Sequence, residues 1–206
     1  MALEPRDLVV VGASAGGVEA LRTFVASLPP NLPAAVVVVL HLPAGGTSAL
    51  PAILGRSGPL PAVSAKHGMA LEPGRIYVAP PDHHVVVVDD GHLALSHGPT
   101  ENGHRPAVDA LFRSAALARG SRVIGVVLSG ALDDGTAGMA AISARGGLTM
   151  VQALDDALYQ GMPGSVLRHV QVDHVHPAGG LGEAVCRHAG ELVETEKVPE
   201  PSSLIK

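Results

Sequence analysis

Apolar residues in this chain come in short β-branched runs, broken by glycine-bearing turns and alternating with stretches of helical spacing. Residues 8–11, Leu-Val-Val-Val, form the first run, and the Gly-rich segment 12–17 interrupts it. Residues 18–28 then place Val18, Leu21, Val25 and Leu28 on one stripe, the spacing of an amphipathic helix. Pro29, Pro30 and Pro33 end that helix, and residues 35–40 form a second apolar strand. The strand–helix–strand unit predicts parallel strands joined by a right-handed crossover. Strands that are apolar throughout, rather than alternating, fit a parallel sheet covered by helices on both faces.

The pattern continues with a helix over 47–55 and strands over 75–79, 84–89 and 92–96. A hairpin turn at Asp90-Gly91 joins the last two. Residues 97–105 are polar and contain glycine, so they read as a loop. A helix over 106–119 turns Val108, Leu111, Phe112 and Ala115 inward. A third strong strand covers 122–128, a Gly-bearing turn 129–135, a helix 136–144 and a short strand 148–152. Helices over 163–169 and 181–193 complete one α/β domain, residues 1–193. Residues 194–206 form a polar, proline-containing tail with the composition of a disordered end.

Composition narrows the class. The 206 residues are 47% hydrophobic, which excludes a disordered chain, yet only 2% aromatic with no Trp. Val, Ala, Leu and Ile must therefore fill the core. The net charge of −5 comes without a basic stripe or stacking aromatics, so no nucleic-acid partner is expected. Cys186 is the one cysteine, and no internal disulfide can form. The N-terminus lacks the regions of a signal peptide. The apolar runs fall far short of the roughly 20 residues that a membrane span needs. The expectation is a cytoplasmic protein without membrane insertion.

In an open α/β sheet, ligands bind outside the carboxyl ends of the strands. Ser14 follows the first strong strand, His41 the second and Asp134 the third. A serine, a histidine and a carboxylate in one crevice are what acyl transfer needs. Residues 12–16 also match G-x-S-x-G, whose small residues allow a sharp strand-to-helix turn under the serine. Amides at the start of the following helix are suited to an oxyanion hole.

Each signal has a plainer reading. A Gly-rich turn after a first strand is often a phosphate loop. Here Ser14 occupies the second glycine position of G-x-G-x-x-G, and no Gly-Lys-Ser/Thr follows. His41 alone suits a satisfied strand-end histidine, and Asp133-Asp134-Gly135 alone suits a turn or a helix cap. His83-His84 beside Asp82 and His174-x-His176 after Asp173 have some character of metal ligands, but no third or fourth ligand has convincing spacing. No metal and no organic cofactor are expected.

At these residues the chain resembles the catalytic domain of the chemotaxis-specific protein-glutamate methylesterases, the CheB family. Six segments carry the likeness in order. The first three are Val10-Val11-Gly12-Ala13-Ser14-Ala15-Gly16-Gly17, Val39-Leu40-His41-Leu42-Pro43 and Tyr77-Val78-Ala79-Pro80-Pro81-Asp82-His83. His104-Arg105-Pro106-Ala107-Val108-Asp109-Ala110-Leu111-Phe112 is the fourth. Leu128-Ser129-Gly130-Ala131-Leu132-Asp133-Asp134-Gly135-Thr136-Ala137-Gly138-Met139 and Tyr159-Gln160-Gly161-Met162-Pro163 follow.

The resemblance implies a doubly wound, mostly parallel sheet flanked by helices, with an added antiparallel β-hairpin. It implies Ser14 as nucleophile, His41 as base and Asp134 as the third member of a catalytic triad. The order Ser, His, Asp differs from the Ser, Asp, His of ordinary α/β-hydrolases. The implied reaction is hydrolysis of glutamate methyl esters on a chemoreceptor's cytoplasmic domain, with glutamine deamidation in some members. Backbone amides near Ala15 and Ala131 would hold the oxyanion; their position and charge, rather than the resemblance, suggest that His104 and Arg105 shape the mouth or recognise the receptor's acidic helices as substrate. Ala131 stands where the family usually has methionine, and Ala15 where threonine is common. Full-length members usually carry an N-terminal receiver domain. This chain reads as a free-standing catalytic domain, with a separate receiver-domain protein as a partner. Two other readings stay open: a hydrolase or deamidase of the same fold with a non-chemotaxis target, and a catalytically silent binding module.

Overall fold

The computed structural model describes residues 1–88 and 91–195. In chain order the first elements are β1 (Ala2–Pro5), β2 (Leu8–Ala13), α1 (Gly17–Ala26), β3 (Ala35–Leu40), α2 (Leu50–Ser57) and β4 (Ala62–Ser64). Next come β5 (Ile76–Val78), β6 (His84–Val87), β7 (Leu93–Ser96), α3 (Val108–Arg119), β8 (Val123–Val127) and α4 (Thr136–Ala144). The chain continues with β9 (Leu148–Gln152), α5 (Gly161–His169), β10 (His174–His176), α6 (Ala178–His188) and β11 (Leu192–Thr195).

Seven strands form one parallel sheet in the order β10-β9-β8-β2-β3-β5-β4. All six residues of β2 and of β3 are buried, as strands covered on both faces must be. Val9, Val11 and Ala13 of β2 pack into the core beneath α1, α2 and α6, together with Val36, Val38 and Leu40 of β3. The alternate residues Leu8, Val10, Val37 and Val39 join the core beneath α3, α4 and α5 and the hairpin of β6 and β7. The scarcity of aromatics leaves Phe24, Phe112 and Tyr77 as the bulkiest buried side chains. Burying Tyr77 requires partners for its hydroxyl. It accepts from the Glu72 amide at 2.8 Å and donates to the Ala70 carbonyl at 3.0 Å.

The sheet has a reversal point at β2. The chain moves from β2 to β3 on one side, whereas β8 lies on the other and leads to β9 and β10. The helix after β2 covers one face, and the helix after β8 covers the opposite face. Their N-termini diverge there and open a crevice above the strand ends.

The expected antiparallel hairpin is present as β6 and β7. Asp89 and Asp90, the end of the predicted strand and the first turn residue, lie outside the described residues. Gly91 adopts φ 84°, the left-handed conformation a tight hairpin turn needs. Helix α3 begins at Val108 rather than 106, because Ala107 is extended. Helix α2 is shifted to Leu50–Ser57, with Ser48 Oγ accepting from the Leu50 amide at its start.

The C-terminal end departs most from expectation. Helix α6 stops at His188 instead of running to 193. Ala189 is extended, Gly190 has φ 83°, and Leu192–Thr195 pairs antiparallel with Ala2–Pro5. The expected boundary between 193 and 194 falls inside this strand, and residues 196–206 lie outside the described residues. The N-terminal strand that captures 192–195 is at the far end of the chain, so no local pattern announced it.

Helices α3 and α4 touch where Gly138 faces Phe112. A Cβ added at Gly138 would lie 2.4 Å from Phe112 Cβ and 3.1 Å from Asp109 Oδ1. Alanine in place of glycine favours a helix by about 1 kcal/mol. Overpacking costs about 1–3 kcal/mol. With a side chain pressed on Phe112 Cβ, Gly138→Ala should therefore lower the unfolding free energy by up to about 2 kcal/mol in urea titration. A stabilised variant would show that the two helices are not in rigid contact.

Candidate active site

Strand register brings the first two candidate residues together. Ala13 is opposite Leu40 in the parallel ladder, so Ser14 and His41 each stand one residue beyond a paired position. The His41 amide donates to the Ala13 carbonyl at 3.1 Å, and the Ser14 amide donates to the Ser129 carbonyl at 3.0 Å. Neighbouring strands lie about 4.8 Å apart, which fixes the scale of the site. The turn beneath Ser14 is sharp: the Gly17 amide donates to the Ser14 carbonyl at 2.8 Å, and Gly16 has φ 71°. Gly130 backs onto Ser14, where an added Cβ would be 3.0 Å from Ser14 Cβ and 2.3 Å from Met162 Sδ.

Asp134 completes the group from the loop after β8. It is 1% exposed. His41 Nε2 lies 2.6 Å from Asp134 Oδ2, which also accepts from the Val108 amide at 2.7 Å. Oδ1 accepts from the Asp109 amide at 3.0 Å and from Asn102 Nδ2 at 2.9 Å. The carboxylate thus sits on the N-terminus of α3, where unpaired amides and the helix dipole favour negative charge. Burial pushes its pKa up, but the hydrogen bonds from His41, the two amides and Asn102 outweigh burial and bring it down to about 2.

With Nε2 held by the carboxylate, His41 Nδ1 is the nitrogen left for other chemistry. It is buried and has no hydrogen-bond partner among the described residues. Nδ1 then carries the lone pair that a hydroxyl nucleophile needs. Ser14 Oγ and His41 are neighbours by register without a formed hydrogen bond, a contact that often closes only when substrate binds.

The supporting residues were not singled out from the sequence. Asp109 Oδ1 accepts from the Gly135 and Gly138 amides at 3.0 and 2.7 Å, so Asp109 caps α4 as Asp134 caps α3. Burial, with the nearby Asp134 charge adding to it, raises the Asp109 pKa despite these bonds. Asn102 Nδ2 bridges Asp109 Oδ2 and Asp134 Oδ1. Ser129 ties three segments: its amide donates to Gln152, its hydroxyl donates to the Ala15 carbonyl, and the Tyr159 amide donates to that hydroxyl. Local sequence carries no sign of these pairings beyond an acidic residue in the first turn of α3.

His104 stacks on His41, with ring centroids 3.6 Å apart and planes 9° from parallel. Arg105 is committed elsewhere. Its Nε and Nη2 donate to Asp82 Oδ1 at 3.0 and 2.7 Å, and Nη1 donates to the Gly98 carbonyl at 2.9 Å. His97 and Arg105 together hold the Asp82 carboxyl at a pKa of about 2. Ala15 and Ala131 flank the serine turn and the loop that faces it. That loop is fixed by paired bonds between Gly130 and the 159–162 segment.

Ligand atoms of His41, His104 and Asp134 lie within 4.8 Å of one another, a spacing that a cation could use. Asp134 already accepts four hydrogen bonds, one of them from His41 Nε2, which is thereby occupied. The arrangement suits proton transfer better than metal ligation. His84 hydrogen-bonds the Pro99 carbonyl and the Ala107 amide, which accounts for both its ring nitrogens, and His83 Nδ1 lies 3.0 Å from the Pro81 carbonyl oxygen. On β10, His174 has His176 on one side at 5.8 Å and His188 on the other at 4.9 Å between ring centroids.

A cleft of about 340 Å³ lies behind the carboxylates, lined by Asn102, Asp109, Asp133, Thr136, Ser165 and His169 among others. A second cleft of about 190 Å³ lies beside Gly16 and Leu158. Neither is lined by Ser14 or His41. Leu158, 77% exposed, lies against Gly16 of the serine turn, while Leu132 and Tyr159, 70% and 48% exposed, sit on the two segments joined through Gly130 and Gly161.

The sequence profile described as CheB methylesterase matches residues 9–185. The chain belongs to the CheB methylesterase family. It is 38% identical over 193 residues to a protein-glutamate methylesterase/protein-glutamine glutaminase 2 of Methanosarcina acetivorans, covering 90% of this chain and 54% of that protein. It is 40% identical over 183 residues to a protein of the same activity name from a Nocardioides species, covering 87% and 50%. The chain thus spans about half the length of the curated relatives it matches. The crystal structure of the Thermotoga maritima CheB methylesterase catalytic domain superposes with a TM-score of 0.84 at 34% identity, covering 88% of this chain and 97% of that one. The doubly wound CheB fold with its antiparallel hairpin is the one the sequence implied.

Asp134 generates a prediction of its own. In Asp134→Asn one acceptor oxygen becomes a donor that meets existing N–H donors. Leaving buried donors unsatisfied costs about 1–3 kcal/mol each, so a loss of about 2–4 kcal/mol is expected in urea titration at neutral pH. The native carboxyl titrates at about 2 against an ordinary 3.8, so its ionised form stabilises the fold above 3.8. That contribution disappears as pH falls through about 2. The stability gap between wild type and variant should narrow between pH 5 and pH 2, and a constant gap would overturn this account.

Proposed function

We propose that this chain is a serine hydrolase that removes methyl esters from glutamate side chains of chemoreceptor cytoplasmic domains. The observation that carries the reading is His41 between its two partners: Nε2 bound to the buried Asp134 carboxylate, and Nδ1 unpaired on a residue in register with Ser14. His41 Nδ1 takes the Ser14 hydroxyl proton as Oγ attacks the ester carbonyl carbon. Amides of Ala15 and Ala131 stabilise the tetrahedral oxyanion. Its collapse breaks the bond to the methoxy oxygen, which leaves as methanol with the proton from His41. Water, deprotonated by His41, then attacks the acyl-serine carbonyl and releases the glutamate carboxylate and Ser14. No cofactor enters this sequence.

The surroundings support a macromolecular substrate. The exposed Leu132, Leu158 and Tyr159 offer an apolar surface that a protein partner can cover. Among the described residues no helix is long and apolar enough to cross a membrane. That agrees with action in the cytoplasm on the receptors' cytoplasmic domains.

A second reading keeps the triad and changes the leaving group or target. The curated relatives are named as glutaminases as well as methylesterases. Glutamine deamidation is the same acyl transfer with ammonia departing. The intact His41–Asp134 pair tells against a silent binding module.

The test is methanol release from methylated receptor cytoplasmic fragments. Ser14→Ala should lower turnover by about four to six orders of magnitude if the triad acts as a unit. Comparable release by wild type and variant would remove Ser14 from the mechanism.

A further inference from the structure

We propose that His104 is a positioning residue for His41 and not a substrate contact, an inference that rests on the triad reading above. The two imidazoles lie 3.6 Å apart and 9° from parallel. Most aromatic pairs have centroids roughly 4.5–7 Å apart, so this is close, face-to-face contact. One face of His104 is therefore covered by the proposed base.

The His104 ring is itself held. Its Nδ1 lies 2.8 Å from the Asn102 carbonyl oxygen, while the side-chain Nδ2 of Asn102 donates to Asp134. One residue thus sets both the ring stacked on His41 and the carboxylate bonded to it. The loop is closed by reciprocal backbone bonds between Glu101 and His104, at 3.0 and 2.8 Å. Asn102 and Gly103 have φ of 52° and 75°, the geometry of a tight turn. Each end is anchored, Glu101 to Arg113 and Arg105 to Asp82.

Such a rigid flat wall restricts rotation of the His41 ring about its Cβ–Cγ bond. Half a turn would put Cε1 where Nε2 meets Asp134 and Cδ2 where Nδ1 lies, and so disconnect the ring from the carboxylate. The wall covers a ring face that water would otherwise reach.

Two variants test this: His104→Ala removes the wall, and His104→Phe keeps a flat ring. Ala should lower kcat for methyl-ester hydrolysis about 10–100-fold with KM within about twofold, and Phe should restore kcat to within about threefold of wild type. Nitrogen-15 NMR of the His41 ring gives a readout independent of turnover. Wild type and Phe should hold the proton on Nε2, and Ala should lose that single tautomer. A raised KM with unchanged kcat in Ala would make His104 a substrate contact and overturn the proposal. So would His41 ring signals that do not change in Ala. If the Ala variant unfolds, Phe is compared with Leu, which has bulk but no flat face, and equal behaviour of the two overturns the proposal. Equal activity of wild type and Ser14→Ala removes the triad reading, while the NMR comparison still decides whether the stack positions His41.

Discussion

The structure turns on a pair of carboxylates that cap each other's helices. Asp134 precedes α4 yet accepts the first two amides of α3, and Asp109 lies in the first turn of α3 yet accepts amides at the start of α4. Burying a carboxylate costs several kcal/mol, and putting a second one nearby adds repulsion. Asp134 recovers that cost through four donors and a helix N-terminus. Asp109 recovers it less fully, which is why burial leaves its pKa raised while Asp134 is lowered to about 2. Asn102 bridges the two with a single amide nitrogen and screens one from the other.

This exchange joins folding to function. The same contacts that clamp α3 to α4 hold the Asp134 oxygens in place for His41. Gly138 allows the helices to approach this closely, since any side chain there would press on Phe112 and Asp109. A site of this kind needs no strained residue in its carboxylate. Its precision comes from donors that the fold must satisfy anyway, because buried helix ends cannot leave amides unpaired.

How much of this could be read from the sequence follows from how local each signal is. Ser14, His41 and Asp134 stood out because each follows a strand whose apolar run is legible within a few residues, and parallel register then gathers strand ends. The Asp109 and Asn102 contacts depend on how two helices and a loop pack, and no periodicity records that. Arg105 looked available because it is charged and lies in a polar loop. Its partner Asp82 is 23 residues away and takes the Nε–Nη2 edge of the guanidinium, while the Gly98 carbonyl takes Nη1. The pairing of Leu192–Thr195 with Ala2–Pro5 was hidden for the same reason: only the closed fold brings the two ends together. His83 and His84 illustrate the converse. Their adjacency suggested ligands, while backbone groups take both ring nitrogens of His84 and Nδ1 of His83.

The orientation of His41 follows from the strand order. Its strand, β3, is next to β2, which carries Ser14, and β2 is next to β8, which leads to Asp134. The carboxylate's strand is therefore two strand spacings from the histidine's, about 10 Å, and the serine's only about 5 Å. In an imidazole, Nδ1 is close to the backbone and Nε2 is at the far end of the ring. The far nitrogen is the one that can span the longer distance, and it is Nε2 that meets Asp134 at 2.6 Å. The near nitrogen is left on the side of the adjacent strand, buried and unpaired. In the serine-protease template the roles are reversed, with Nδ1 on the carboxylate and Nε2 on the serine. The reversal leaves the chemistry unchanged, because either nitrogen serves as the base once the other is held as a donor. The strand sequence 3-2-8 is thus the reason that Nδ1 is the nitrogen left free for the base role proposed for His41.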